Sequence, residues 1–196
     1  FQAYQRVVEK MAGKPVVMRT LDLGADKMGQ LPRMEEENNP FLGLRSIRLS
    51  LREKTRFRTQ LKAILRASAL GQVKIMFPLI STVGELKEAK LLLQQAMEEL
   101  DQAGTEFDGS LRIGMMVEVP SAVVMIDSFL KEVDFVSIGT NDLVQYTLAV
   151  DRTNRDVASL YSNSDPSVLR LIERTIQAAK EYAVAASLCG QMGGDL

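Results

Sequence analysis

The chain has 196 residues, with 24 Lys+Arg against 25 Asp+Glu, no His, one Cys, no Trp and 46% hydrophobic residues. This is the composition of a soluble globular protein long enough to bury a substantial core. A formal charge of −1 lacks the positive excess that counterion release from nucleic acid requires, and no apolar run approaches the roughly 18 residues of a membrane span, so neither nucleic acid nor a membrane is an expected partner.

The missing His removes a Ser/His/Asp triad, His-ligated zinc and any step in which this stretch itself carries phosphate on imidazole. Any metal must then be held by oxygen. The single Cys189 forms no internal disulfide, and the opening FQAYQRVVEK lacks the zones of a secretory signal, so a reducing cytoplasm is expected. Charge is uneven: residues 1–70 carry 14 basic and 7 acidic side chains (net +7), and residues 71–196 carry 10 and 18 (net −8).

In chain order, Pro15–Arg19 is the first short apolar run of strand type. Gly24–Asn39, with GADKMGQ and EEEN, reads as a long loop in which Lys27 is solvated. Arg45–Leu51 alternates like a strand but can equally open the next helix. Phe57, Leu61, Ile64 and Leu65 mark a helix ending before Gly71, with Arg48, Arg52, Arg56, Arg58, Lys62 and Arg66 mostly on its solvated face. Val73–Pro78 is a second run. Thr82–Leu100 follows as a helix, opened by a capping box from Thr82 and Glu85 and stopped near Gly104. Ile113–Glu118, Val133–Gly139 and Val184–Cys189 complete five strands, and Asp165-Pro166 caps a helix over Ser167–Tyr182.

Strands apolar on both faces and joined by helices imply a parallel sheet, hence an α/β fold in one domain, residues 1–196. Either an open doubly wound sheet or a truncated (β/α)₈ barrel accommodates five or six such strands. Both bind ligands at the carboxyl ends of their strands, where Arg19, Asp22, Glu118, Asn141, Asp142 and Cys189 fall.

Glu118 and Asp142, on adjacent strand ends, offer hard oxygen ligands that suit Mg²⁺; the plainer alternative is that they cap helices or pair with Arg. Arg19, Arg45 and Arg152 carry planar forks that match phosphate or carboxylate, or else form ion pairs with Asp22, Asp151 or Glu36. Cys189 precedes Gly190 at a strand end, which points its thiol into the mouth of the site as a proton donor to carbon, against the alternative of an inert small hydrophobe.

The segments RTLDLGADK (19–27), NPFLGLRSIR (39–48), QLKAILRAS (60–68), MFPLIS (76–81), MVEVPSA (116–122), DFVSIGTNDLVQYTLAVDRTN (134–154) and LCGQMGGD (188–195) closely resemble the PEP-binding domain of the enzyme I family, the phosphoenolpyruvate–protein phosphotransferases of the bacterial sugar phosphotransferase system. The resemblance implies a (β/α)₈ TIM barrel, incomplete in this chain, that binds phosphoenolpyruvate and Mg²⁺. The phosphoryl group passes to a His on a separate N-terminal domain and then to the HPr-like phosphocarrier protein, leaving pyruvate. The whole protein is implied to be a cytoplasmic homodimer. Carried onto this sequence, Glu118 and Asp142 are implied as metal ligands, with Arg19, Asn141, Asp142 and Arg152 at the substrate, Arg45 as a further phosphate contact, and Cys189 as proton donor.

Two positions depart from the family pattern. Gln191 stands where Glu usually follows CysGly, and Thr153 stands where Gly is usual, which stiffens the loop carrying Arg152. The sugar and nitrogen-regulatory branches both fit the sequence. A pyruvate phosphate dikinase or PEP synthase, and a non-catalytic PEP-binding regulatory module, are the alternatives; YTLAVDRTN favours enzyme I over the former.

Overall fold

Strands and helices alternate along the chain in the computed structural model, which describes residues 1–22 and 37–194. Most of the Gly24–Asn39 loop, with Lys27 and Glu36, lies outside the described residues. Two compact units are distinguished, one formed by Phe1–Pro78 and Gly84–Arg112, the other by Leu79–Val83 and Ile113–Leu196.

In the first unit, α1 (Gln2–Lys10) precedes β1 (Val16–Arg19), α2 (Ser46–Arg52), α3 (Lys54–Ser68) and β2 (Val73–Phe77), and α4 (Val83–Gln102) contributes nearly its whole length. Strands β1 and β2 pair in parallel, with Arg19 opposite Met76. Leu61, Ile64 and Leu65 bury one face of α3, and Phe57 meets Phe77 edge-to-face at 6.2 Å. Full burial of each such side chain stabilises by about 1.5–3 kcal/mol relative to exposure. The basic face of α2–α3 lies at the surface as expected and carries ion pairs there: Arg48 approaches Glu85 at 3.8 Å, Lys54 reaches Glu88 at 2.7 Å, Arg58 reaches Glu99 at 3.0 Å, and Lys62 also pairs with Glu99. These pairs lower the pKa of Glu99, chiefly through its hydrogen bond with Lys62.

The ambiguous Arg45–Leu51 segment is helical after an extended Arg45. Its buried set, Ser46, Ile47, Leu49 and Ser50, follows helical spacing rather than the strict alternation of a strand. Helix α4 ends with a main-chain bond from Thr105 N to Leu100 O at 2.9 Å, just past Gly104.

The second unit holds β3 (Arg112–Val117, of which Arg112 belongs to the first), α5 (Pro120–Val124), α6 (Ile126–Leu130), β4 (Phe135–Gly139), α7 (Thr140–Leu148), α8 (Pro166–Glu181) and β5 (Ala185–Cys189). Short 3₁₀ turns cover Ala158–Leu160 and Gln191–Gly193. Strand β4 pairs in parallel with β3 on one side and β5 on the other. Met115, Val117, Val136, Ile138, Ile126, Phe129 and Val168 fill the core. Helix α8 begins where Asp165 accepts from the Ser167 main chain at 2.8 Å, as the Asp-Pro pair predicts.

One expectation fails. Strand β5 is exposed at Ala185 through Leu188, and β1 is exposed at Val17 and Arg19. Among the described pairings each of these strands has a neighbour on one side only, so neither gains the two-sided cover that its apolar sequence anticipates.

Candidate functional site

The parallel register of the second unit brings three strand ends to one edge. Val117 lies opposite Ile138, and Gly139 lies opposite Cys189; Glu118, one residue past β3, therefore arrives level with the end of β4. The Glu118 carboxylate is 3% exposed, and its Oε1 accepts from the main-chain N–H of Leu79 at 2.6 Å. Its other oxygen lies over Gly139, where a Cβ would come within 2.5 Å of Oε2. Glycine is required at this closest approach, and the next residues open α7.

The first turn of α7 carries Asn141 and Asp142. Asp142 is 5% exposed, and its Oδ1 is 2.9 Å from Nη1 of Arg152. Arg152 arrives from the loop that follows α7, where Ala149 ends the helix in a left-handed conformation. Its main-chain N–H donates to Oε1 of the buried Gln145 at 3.2 Å. In the same loop Asp151 accepts from the Thr153 hydroxyl at 2.6 Å and the Thr153 N–H at 2.8 Å. Those two bonds, the hydroxyl first, hold the Asp151 carboxyl below its ordinary range. Thr153 thus tightens its turn through its side chain.

Asn141 is tied at both ends. Its Oδ1 accepts from Gln191 N at 3.0 Å, and its carbonyl accepts from the Tyr161 hydroxyl at 3.1 Å. The Gln191 contact uses the main chain, which Gln and Glu share. Gly190, at φ +102°, allows this return, since a Cβ there would meet Thr140 Oγ1 at 2.4 Å. Thr140 Oγ1 in turn donates to the Cys189 carbonyl at 3.0 Å.

Cys189 is half-buried. Its thiol donates to the Ile138 carbonyl at 3.4 Å and accepts from Ser137 Oγ at 3.4 Å. The sulfur therefore rests against β4 at the same strand end as Glu118 and Asp142. Both contacts are weak, as bonds to sulfur are.

In the first unit, Asp22 lies between two guanidinium groups: Arg19 Nη1 at 3.2 Å from Oδ2 and Arg45 Nη2 at 3.2 Å from Oδ1. Arg45 is 6% exposed and stacks on Phe41 with its Cζ 5.6 Å from the ring centroid; Arg19 is open to solvent. The ion-pair alternative for Arg19 holds with Asp22, while Arg152 pairs with Asp142 rather than the adjacent Asp151.

Sequence reasoning missed Leu79, Gln145, Ser137 and Tyr161. Gln145 was within reach, because it stands one helical turn after Asp142. Leu79 acts through a main-chain N–H at φ +52°, which side-chain identity does not announce.

Among the described residues, no group of three or more His, Cys, Asp and Glu side chains gathers as a metal site. The pair Glu118 and Asp142 fits a hard, oxygen-seeking ion that keeps several water or substrate ligands, which is how Mg²⁺ is ordinarily held. Both carboxylates are buried at one strand edge, where the lack of a side chain on Gly139 lets Glu118 lie against the end of β4.

Two buried carboxylates, an Arg and a thiol thus share one strand edge of the second parallel α/β unit. The model of the PEP-utilising enzyme, PEP-binding domain matches residues 1–196, and the chain belongs to that family. Its curated relatives include the phosphoenolpyruvate-protein phosphotransferase of Bacillus subtilis (strain 168), 53% identical over 195 residues, which covers 100% of this chain and 34% of that protein. The protein of the same name from Listeria monocytogenes is 50% identical over the same coverage. The chain thus spans about a third of the length of these relatives. Among solved structures, a citrate lyase from Burkholderia xenovorans LB400 is similar with a TM-score of 0.52 at 23% identity, over 68% of this chain and 40% of that one. That likeness concerns the fold alone. No helix among the described residues is long and apolar enough to cross a membrane.

Proposed function

We propose that this chain is the PEP- and Mg²⁺-binding part of an enzyme I-type phosphoenolpyruvate–protein phosphotransferase, and that its strands belong to an eight-stranded (β/α)₈ barrel completed elsewhere in the protein. The observation that carries the reading is the convergence of Glu118, Asp142, Arg152 and Cys189 at the carboxyl ends of β3, β4 and β5, in a chain of this family. The names of the relatives favour this reading over the dikinase and synthase alternatives.

Glu118 and Asp142 hold the cation, which when bound neutralises charge on the phosphate and enolate oxygens. Arg152 and the Asn141 side chain orient the substrate. Arg19 and Arg45 keep their role as substrate contacts on the strength of the family resemblance. Phosphoryl transfer depends chiefly on alignment and charge neutralisation, and buried carboxylates with a guanidinium fork provide both.

The bond from the phosphorus to the enol oxygen breaks as a nitrogen of the acceptor His bonds to phosphorus. The enolate of pyruvate then takes a proton at its methylene carbon from the Cys189 thiol, giving pyruvate and a thiolate that water reprotonates. The acceptor is a His on a separate N-terminal domain, which passes phosphate to an HPr-like phosphocarrier. The protein works in the cytoplasm as a homodimer in this proposal.

The test is calorimetric titration of PEP with Mg²⁺ into the chain. Saturable heat that disappears on chelation is expected, and absence of both heat and thermal stabilisation at roughly millimolar ligand rejects the reading.

A further inference from the structure

Gln145 carries a polar amide into the interior. It is 4% exposed on α7, and its side chain makes one hydrogen bond among the described residues: Oε1 accepts from the main-chain N–H of Arg152 at 3.2 Å. Its Nε2 is buried and donates to no group among them. An amide with unused buried donors opposes folding, whereas an apolar chain of the same length fills the space without that penalty. The fold therefore gains little from a glutamine at this position. What the amide supplies is a fixed point for the root of Arg152.

The rest of the turn is held independently of that side chain. The Gln145 carbonyl accepts from Ala149 N and, at 3.0 Å, from Val150 N, while Ala149 reverses the chain at φ +52°. Asp142, three residues before Gln145 on the same face of α7, meets Arg152 Nη1 at 2.9 Å. One helix face thus grips Arg152 at both ends, the root through Gln145 and the tip through Asp142.

Resting on the function proposed above, we infer that Gln145 is a positioning residue: its amide oxygen fixes the stretch of backbone from which Arg152 reaches the substrate's phosphate.

A phosphate that draws the guanidinium towards itself, or a cation that recruits Asp142, loosens the contact at the tip. The bond at the root involves neither charge and persists while the substrate binds. Without it the turn keeps only its main-chain bonds, and both the backbone of Arg152 and its rotamer-rich side chain must be immobilised on association, which weakens binding.

The experiment uses the complete protein that carries this segment, as wild type, Gln145→Met, Arg152→Met and the double variant. PEP affinity with Mg²⁺ is read by calorimetry, KM and kcat by PEP-dependent phosphoryl transfer, stability by thermal unfolding, and the Arg152 amide by hydrogen exchange of peptides spanning residues 149–154. Methionine matches the length of glutamine and has no acceptor oxygen. Gln145→Met should melt at or above the wild-type temperature. It should weaken PEP binding and raise KM by about 2–10-fold, the range of one neutral hydrogen bond. Its kcat should stay within about 2-fold of wild type, because the phosphate is held in ground and transition states alike. The Arg152 amide should exchange faster, with α7 as protected as before. In the Arg152→Met background the same change should alter PEP affinity by less than about 2-fold, since the side chain being positioned is gone.

Wild-type affinity and KM in Gln145→Met overturn the inference. So does a Gln145→Met protein that unfolds well below wild type or does not fold, because the amide would then serve the core. Unchanged exchange at Arg152, or an equal loss of affinity in both backgrounds, also overturns it; where Arg152→Met binds too weakly to measure, the exchange result decides. Wild-type protein that fails to bind PEP strikes the proposed function itself, whereas normal wild-type binding with a silent Gln145→Met strikes only Gln145.

Discussion

Arg152 Nη1 stands 2.9 Å from Asp142 Oδ1, so the carboxylate assigned to the cation is already matched by the guanidinium assigned to the phosphate. A cation arriving alone meets a repelling charge, and a phosphate that recruits Arg152 releases Asp142 for the metal. Arg152→Met should therefore bind Mg²⁺ alone several-fold more tightly while binding PEP at least about 10-fold more weakly, following the rule that a nearby like charge opposes a cation. Calorimetry of each ligand separately checks both halves. Unchanged Mg²⁺ affinity would show that the two charges are not in competition.

Glu118→Gln keeps an oxygen to accept from Leu79 N and removes only the negative charge. The fold should survive, with an unfolding temperature near that of wild type. Mg²⁺-dependent PEP binding should fall by at least about 10–100-fold, the loss typical even of groups that merely support a metal ligand. Binding at wild-type strength would remove Glu118 from the metal site.

Gly139→Ala tests the close approach of Glu118 to the end of β4. The added methyl lands 2.5 Å from Oε2 and 2.9 Å from Met116 Sδ, so side chains must move. A stability loss of about 1–3 kcal/mol is expected, as for overpacking of a filled interior. Denaturant melts measure it, and a neutral outcome would mean that Glu118 swings aside freely.

Asp165 supplies a pH test of the α8 cap. Bonds from the Ser167 hydroxyl, first, and the Ser167 N–H hold its carboxyl below the ordinary 3.8. A depressed folded value means that the contribution is complete above pH 3.8 and disappears as pH falls through the folded value. Asp165→Ala should thus melt below wild type at neutral pH, and the gap should close in strong acid. A gap that is constant down to roughly pH 2 would contradict the assignment.

Cys189→Ala bears on proton delivery. The variant should still transfer phosphate, releasing enolpyruvate to ketonise in solution, so that PEP stereospecifically tritiated at its methylene carbon and turned over in D2O should give a racemic CHDT methyl group in pyruvate, where the wild type gives a chiral one. Retained stereospecificity would assign the proton to another group.

Much of the architecture was legible because short apolar runs between helical patterns have few alternatives. Asp165-Pro166 located α8 almost to the residue. Arg45–Leu51 was not legible, since Ile47, Leu49 and Leu51 alternate while Ser46 and Ser50 carry no hydrophobic signal; only the buried surface chose helix. The exposure of β5 was equally hidden, because a sequence reports how apolar a strand is and not which neighbours cover it. At the site, the strand-end rule brought Glu118, Asp142 and Cys189 to one edge, while the partners that orient them went unseen. Those partners are a main-chain N–H, a glutamine and a tyrosine, whose participation depends on loop paths rather than on spacing.

The anchor of Glu118 has a further implication for inheritance. Because the donor is the amide of residue 79, exchanging the leucine for another unbranched side chain leaves it in place, whereas proline has no N–H to donate and β-branched residues oppose the left-handed backbone found there. Saturation mutagenesis should therefore find codon 79 permissive to Met and other unbranched apolar residues, less so to Val and Ile, and least of all to proline.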